Sequence, residues 1–163
     1  MIKLVNLLVE VLLESNDVVP ISQLDNIEGL SCKILSEVET NFQVLITYDN
    51  FDKPFKLVIL GTEHDARFGP IIGDDKIDVD TDFGGSGPLR TIRMAIFSYL
   101  RYYLDKFNIK HFQFSAKGTN RRGLYKHFME IRFSDYEMKI RETGTEYLFD
   151  MDKKENNGAG ETK

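Results

Sequence analysis

The chain has 163 residues, 42% of them apolar, which is enough for one core of ordinary size, and its formal charge is -5. That acidic balance argues against a general nucleic-acid binder, which needs a surplus of Lys and Arg on one face, and leaves room only for a local basic patch. The single cysteine, Cys32, excludes an intrachain disulfide and a thiolate metal cage and fits a reducing, cytoplasmic compartment.

At the start, Ile2, Val5, Val9 and Leu12 recur at helical spacing, and Leu8 and Leu13 widen the stripe. Residues 2–14 are therefore predicted to form an amphipathic helix, packed on its own domain or offered to a protein partner. Glu10 and Glu14 interrupt the apolar run well short of the roughly 20 residues that a bilayer span needs. With no small-residue cleavage site either, neither a membrane segment nor a signal peptide is expected, and the protein reads as soluble. Residues 16–30, with Pro20 and Gly29, read as a connection holding a short helix near 21–27. Cys32, Ile34 and Val38 suggest a first strand, 42–48 a second and 55–60 a third. Asp49-Asn50-Phe51-Asp52-Lys53-Pro54 has the turn chemistry to join the last two as a hairpin.

The segment 61–75 carries three glycines, Pro70 and only a brief apolar pair, Ile71-Ile72, and is expected to be a long loop. A fourth strand follows, with Ile77 and Val79 facing one way and Asp78, Asp80 and Asp82 the other. Three carboxylates on one face invite a calcium loop. Starting at Asp78, however, such a loop meets Phe83 where it needs glycine and Leu89 where it needs glutamate, and starting at Asp80 it ends on Thr91. No metal is expected. The turn Phe83-Gly84-Gly85-Ser86-Gly87-Pro88 leads into a long helix whose apolar face is Leu89, Ile92, Ile96, Tyr99, Leu100, Tyr103 and Phe107, with Arg90, Arg93, Arg101 and Asp105 elsewhere. Bare glycines let an anion approach the unpaired amides of a first helical turn, or simply make a tight turn. Neither a P-loop nor a dinucleotide fingerprint fits, because Lys and Ser or Thr do not follow Gly87 and Arg90 stands where a third glycine belongs.

A fifth strand, 109–115, precedes a shorter helix with Leu124, Phe128 and Ile131 on one face, capped by Thr119 or Asn120. Tyr136, Met138 and Ile140 alternate, Thr143-Gly144 turns, and Tyr147, Phe149 and Met151 alternate back as a closing hairpin. Residues 152–163 are polar and expected to be disordered. The histidines, His64, His111 and His127, are scattered and fit structural or surface roles; no nucleophile elbow surrounds Cys32 or Ser115.

This order of elements resembles the GNAT acetyltransferase superfamily over roughly residues 31 to 150. More closely, Phe114-Ser115-Ala116 followed by Asn120-Arg121-Arg122-Gly123-Leu124-Tyr125 resembles small GNAT-like proteins of tailed bacteriophages. The resemblance implies an α/β (α+β) fold with a mixed, mostly antiparallel sheet and a central parallel crossover pair flanked by helices. The organisation would be an N-terminal helix and connection (1–30), a GNAT-like domain (31–151) and the tail (152–163). It implies acetyl-CoA as cofactor, held by Phe83, Gly84, Gly85, Ser86, Gly87, Leu89 and Arg90 at the loop and by Ser115, Asn120, Arg121 and Arg122 near the second helix. Lys117, Lys126 and His127 add to that basic cluster. Tyr125 is then the acid that protonates the departing thiolate, with Asp78, Asp80 or Glu63 as base through water, and the acceptor is an unknown amine or protein in the host cytoplasm. Asp82, which repels a pyrophosphate, favours the alternative of an inactive GNAT-like module that binds a host or phage protein through the N-terminal helix or the 61–75 loop.

Overall fold

The structure, a computed structural model, describes residues 18–49, 51–74, 76–78, 88–117, 119–144 and 146–155, without the side chains of 88 and 119–121. The expected helix 2–14, Val79, Asp80, Asp82 and the turn 83–87 lie outside the described residues. So do residues 156–163 of the tail.

The chain is a mixed α+β protein. Helix α1 (Ile21–Leu24) leads into β1 (Leu30–Val38), β2 (Asn41–Tyr48), β3 (Phe55–Leu60), β4 (Asp65–Ile72) and the short β5 (Lys76–Ile77). Helix α2 (Pro88–Lys106), β6 (His111–Lys117), α3 (Thr119–Arg132) and the hairpin β7 (Tyr136–Thr143) and β8 (Glu146–Lys153) complete it. The strands form one sheet in the order β1-β2-β3-β4-β6-β8-β7, with β5 added to β4. Its pairings are antiparallel except for β4 with β6, which run parallel and are joined by α2.

Several expectations need correction here. Residues 65–72 are a strand and not part of a loop, and it is this strand that runs parallel to β6, in place of the expected 77–79. Ala66 and Phe68 point into the core while Arg67 is exposed between them, a period of two that glycine and proline obscure. Gly69 is there for close approach: a Cβ at this position would lie 2.1 Å from the backbone oxygen of Asp78, where the chain crosses after β5. Asp152 and Lys153 likewise belong to β8, not to a disordered tail, and the N–H of Lys153 donates to the Lys110 carbonyl at 2.7 Å.

The helices lie against one face of the sheet. Phe42, Val44 and Ile46 of β2, Leu57 and Ile59 of β3, Phe68 of β4, Phe112 and Phe114 of β6, and Phe149 and Met151 of β8 all bury there. Helix α2 starts with Pro88 at its first position and ends before Asn108, whose left-handed φ of 51° suits a residue just past a helix terminus. Residues 91–100 are buried on every side, because α3 and the segment around Val19 cover the flank that faces away from the sheet. Arg93, expected on the polar side, is therefore buried, with its guanidinium 4.4 Å from the Phe128 ring centre. Among the described residues of α3, Tyr125, Phe128 and Met129 are buried, whereas Ile131 is 48% exposed. Residues 18–30 share this core through Val19, Leu24 and Leu30. No described helix is long and apolar enough to cross a membrane.

Candidate functional site

Parallel strands β4 and β6 share two register pairs, Asp65↔Gln113 and Ala66↔Phe114. Beyond them both strands continue, β4 to Ile72 and β6 to Lys117, without pairing to each other. The gap is a cavity of about 250 Å³ lined by Asp65, Ala66, Arg67, Phe68, Ser115, Lys117, Tyr125 and Glu146. Alternation along the strands gives it two characters. Ala66, Phe68 and Tyr125 close it from the helix side, while Asp65, Arg67, Ser115, Lys117 and Glu146 line it from the other face.

Tyr125 is 3% exposed, and its ring meets Phe68, Phe97 and Phe114 edge-on with centres 5.8 to 6.3 Å apart. Its helix position follows from the spacing of Tyr125, Phe128 and Met129, which turns one stripe of α3 toward β6 and α2. A phenol set in an aromatic wall at the edge of a cleft has little freedom to reorient. The polar side is charged in both senses: Asp65 accepts from Arg67 Nε at 3.1 Å, and Lys117 stands opposite Glu146 in the β6–β8 register.

Of the residues expected at the site, Tyr125 and Ser115 line this cleft together, with Lys117 of the expected basic cluster beside them. Leu89 and Arg90 are half-buried in the first turn of α2. Asn120 and Arg121 lie in the first turn of α3, and Arg122 holds its guanidinium 5.4 Å from the Tyr147 ring centre. Asp78 is half-buried, with its N–H bonded to the Pro70 carbonyl at 2.9 Å. Glu63 is exposed in the β3–β4 turn and does not line the cleft. Phe83, Gly84, Gly85, Ser86, Gly87 and Asp80 fall outside the described residues.

Sequence reasoning missed the two carboxylates that do line the cleft, Asp65 and Glu146, and their neighbour Arg67. The signal was present: reading 65–72 with a period of two places Asp65 and Arg67 on one face, and the closing hairpin brings Glu146 beside Lys117. Among the described residues no group of His, Cys, Asp and Glu is arranged to hold a metal ion. Cys32 is half-buried and its thiol is pushed up to about 12, by burial first and by the Asp25 charge second, so it stays protonated and inert at neutral pH. No protein-family model, no curated protein and no solved structure matches the chain.

Proposed function

We propose that the chain is a GNAT-like acyltransferase that moves an acetyl group from acetyl-CoA to an amine acceptor. The observation that carries this reading is the cleft between β4 and β6 with Tyr125 in its wall. Support comes also from the order of elements: antiparallel strands first, one parallel pair bridged by a long helix, then a helix bearing Leu124-Tyr125 and a closing hairpin.

A parallel pair that separates leaves backbone amides and carbonyls along both edges, and an extended amide-bearing arm, such as that of a CoA thioester, can occupy the gap as a surrogate strand. A narrow cavity of about 250 Å³ fits such an arm better than it fits a bulky ring system. When the amine attacks the thioester carbonyl, the C–N bond forms, the C–S bond breaks, and the sulfur leaves as a thiolate. Tyr125 supplies the proton that this thiolate takes up. Asp65 or Glu146, through water, accepts the proton that the amine gives up.

Two measurements test the reading. A ligand that binds only the folded protein stabilises it by about 2.7 kcal/mol at a hundred times its dissociation constant, so acetyl-CoA should raise the melting temperature measurably. Tyr125→Phe should keep that shift while lowering thiol release in the presence of a lysine-containing peptide or a polyamine, by about a hundredfold or more. No thermal shift at millimolar acetyl-CoA refutes the cofactor, and full activity of the Phe variant refutes the proton donor.

A second reading, an interaction module without CoA chemistry, draws support from a larger apolar groove of about 690 Å³. Val18, Val19 and Ile21 form one wall, and Tyr102 with Arg101 and Lys106 the other. The acetyl-CoA titration separates the two readings.

A further inference from the structure

The closed end of the cleft is built on one residue. His64 ends the β3–β4 turn, where its N–H donates to the Gly61 carbonyl at 3.2 Å, and its own carbonyl accepts the N–H of Gln113 at 3.2 Å. Gln113 is the β6 residue in register with Asp65, so the His64 carbonyl stands at the point where β4 and β6 meet before they part. His64 does this from a left-handed backbone, φ 51°, a region uncommon for residues other than glycine although histidine enters it more often than most. Gly61 in the same turn, φ 78°, takes up that region without a steric penalty.

The ring is held from behind. Nδ1 lies 2.7 Å from the hydroxyl of Tyr103, a fully buried residue of α2 packed between Phe42 and Phe107. That hydroxyl also donates to the backbone carbonyl of Glu39 in the β1–β2 turn. A phenol has one proton, and the Glu39 carbonyl receives it, so the histidine must be the donor in the other bond and carries its hydrogen on Nδ1. The same β1–β2 turn is tied to the β3–β4 turn by the N–H of Gly61, which donates to the Thr40 carbonyl at 2.9 Å.

We propose that His64 is the positioning residue of the cleft: the Tyr103 phenol holds its ring, the ring holds the left-handed turn, and the turn aims the carbonyl at Gln113 that fixes where β4 and β6 separate. His64, Tyr103 and Glu39 are not among the residues that line the cavity, so their effect on a ligand is indirect. The geometric part stands by itself; its consequence for affinity rests on the reading of the cleft as the acyl-donor site.

The test uses the full chain with Tyr103→Phe, which removes the hydroxyl and keeps the packed ring, and His64→Gly, which relieves the backbone and removes the imidazole. Amide exchange is followed at Gln113 against Phe149 in the interior strand β8, so that loss of global stability cancels. Each variant should speed exchange at Gln113 relative to Phe149 by about three- to tenfold, the factor expected from losing one hydrogen bond, and weaken acetyl-CoA by a similar factor. His64→Asn, whose side chain tolerates this backbone and still donates, should restore part of both effects. Exchange at Gln113 that merely tracks Phe149 overturns the proposal, and selective exchange with unchanged affinity overturns the positioning role. If the parent protein binds no acetyl-CoA, the acyl-donor reading falls, and the exchange ratio at Gln113 still decides whether His64 sets the junction.

Discussion

The C-terminal half of α2 and the diverging ends of β4 and β6 lie in one domain and are stabilised in opposite ways. Around α2, Arg101 bonds Asp105 on its own helix and Asp135 beyond α3, Tyr102 and Lys106 both reach Glu37 of β1, and Tyr103 reaches the turns at Glu39 and His64. Between β4 and β6 the backbone ladder stops after two pairs, and side chains of mixed charge line the opening. A region tied by side chains from several elements is held in one arrangement, whereas strands released from each other keep backbone groups available for a ligand. The fold keeps its sheet open at one place by over-determining the structure next to it.

The largest loss is expected at Phe114, where the paired part of β4 and β6 ends. Phe114 is the last β6 residue in register with β4, it stacks on Phe149 with ring centres 4.7 Å apart and planes at 7°, and it meets Tyr125 edge-on. Phe114→Ala should cost about 3–5 kcal/mol in chemical denaturation, the range for a buried aromatic ring. A loss below about 2 kcal/mol would mean that the wall of the cleft collapses into the space, and that the open end is softer than its packing implies.

A smaller effect is expected at Gly69. Its Cβ would press on the backbone of Asp78, so Gly69→Ala must push β5 away from β4, at about 1–3 kcal/mol by the scale of overpacking. Gly73→Ala, by contrast, meets open space and carries only the strain of φ 55°, about 1–2 kcal/mol. Equal costs for the two would show that the chain after β5 yields freely, and would remove Gly69 as a constraint on the path toward α2.

Much of this architecture was legible in the sequence because its signals are local. The helix of α2 follows from apolar spacing after Pro88, and the closing hairpin from the alternation around Thr143-Gly144, with Gly144 at φ 64°. What escaped reading had a non-local cause. β4 looks like a loop because Gly69 answers to a backbone crossing from Asp78, a contact that no neighbour in sequence announces. Arg93 looks solvated because the α3 residues that bury it come more than thirty positions later. Tyr125 was singled out only through the resemblance carried by Leu124-Tyr125, and the carboxylates that line the cleft with it, Asp65 and Glu146, required the register of three strands.

The tied region can be sharpened with acid. Asp135 accepts two bonds of 2.8 Å from Arg101, and these hold its carboxyl below the usual carboxylate range even though partial burial works the other way; the nearby charges of Arg101 and Lys153 act in the same direction as the bonds. Glu37 is held down likewise, first by Lys106 and then by Tyr102. A carboxyl whose folded-state value is depressed contributes stability that is fully present above its unfolded value, about 4, and is lost as pH falls through the folded one. The parent protein should therefore lose denaturant resistance progressively below about pH 4. Asp135→Asn should cost about 1 kcal/mol at neutral pH, a modest figure because the pair is partly solvated, and should flatten the acid limb without abolishing it, since Glu37 still titrates. An acid limb that superimposes on the parent's would show that Arg101 gains nothing from Asp135, leaving the bonds of Tyr102, Tyr103 and Lys106 to tie this part of α2.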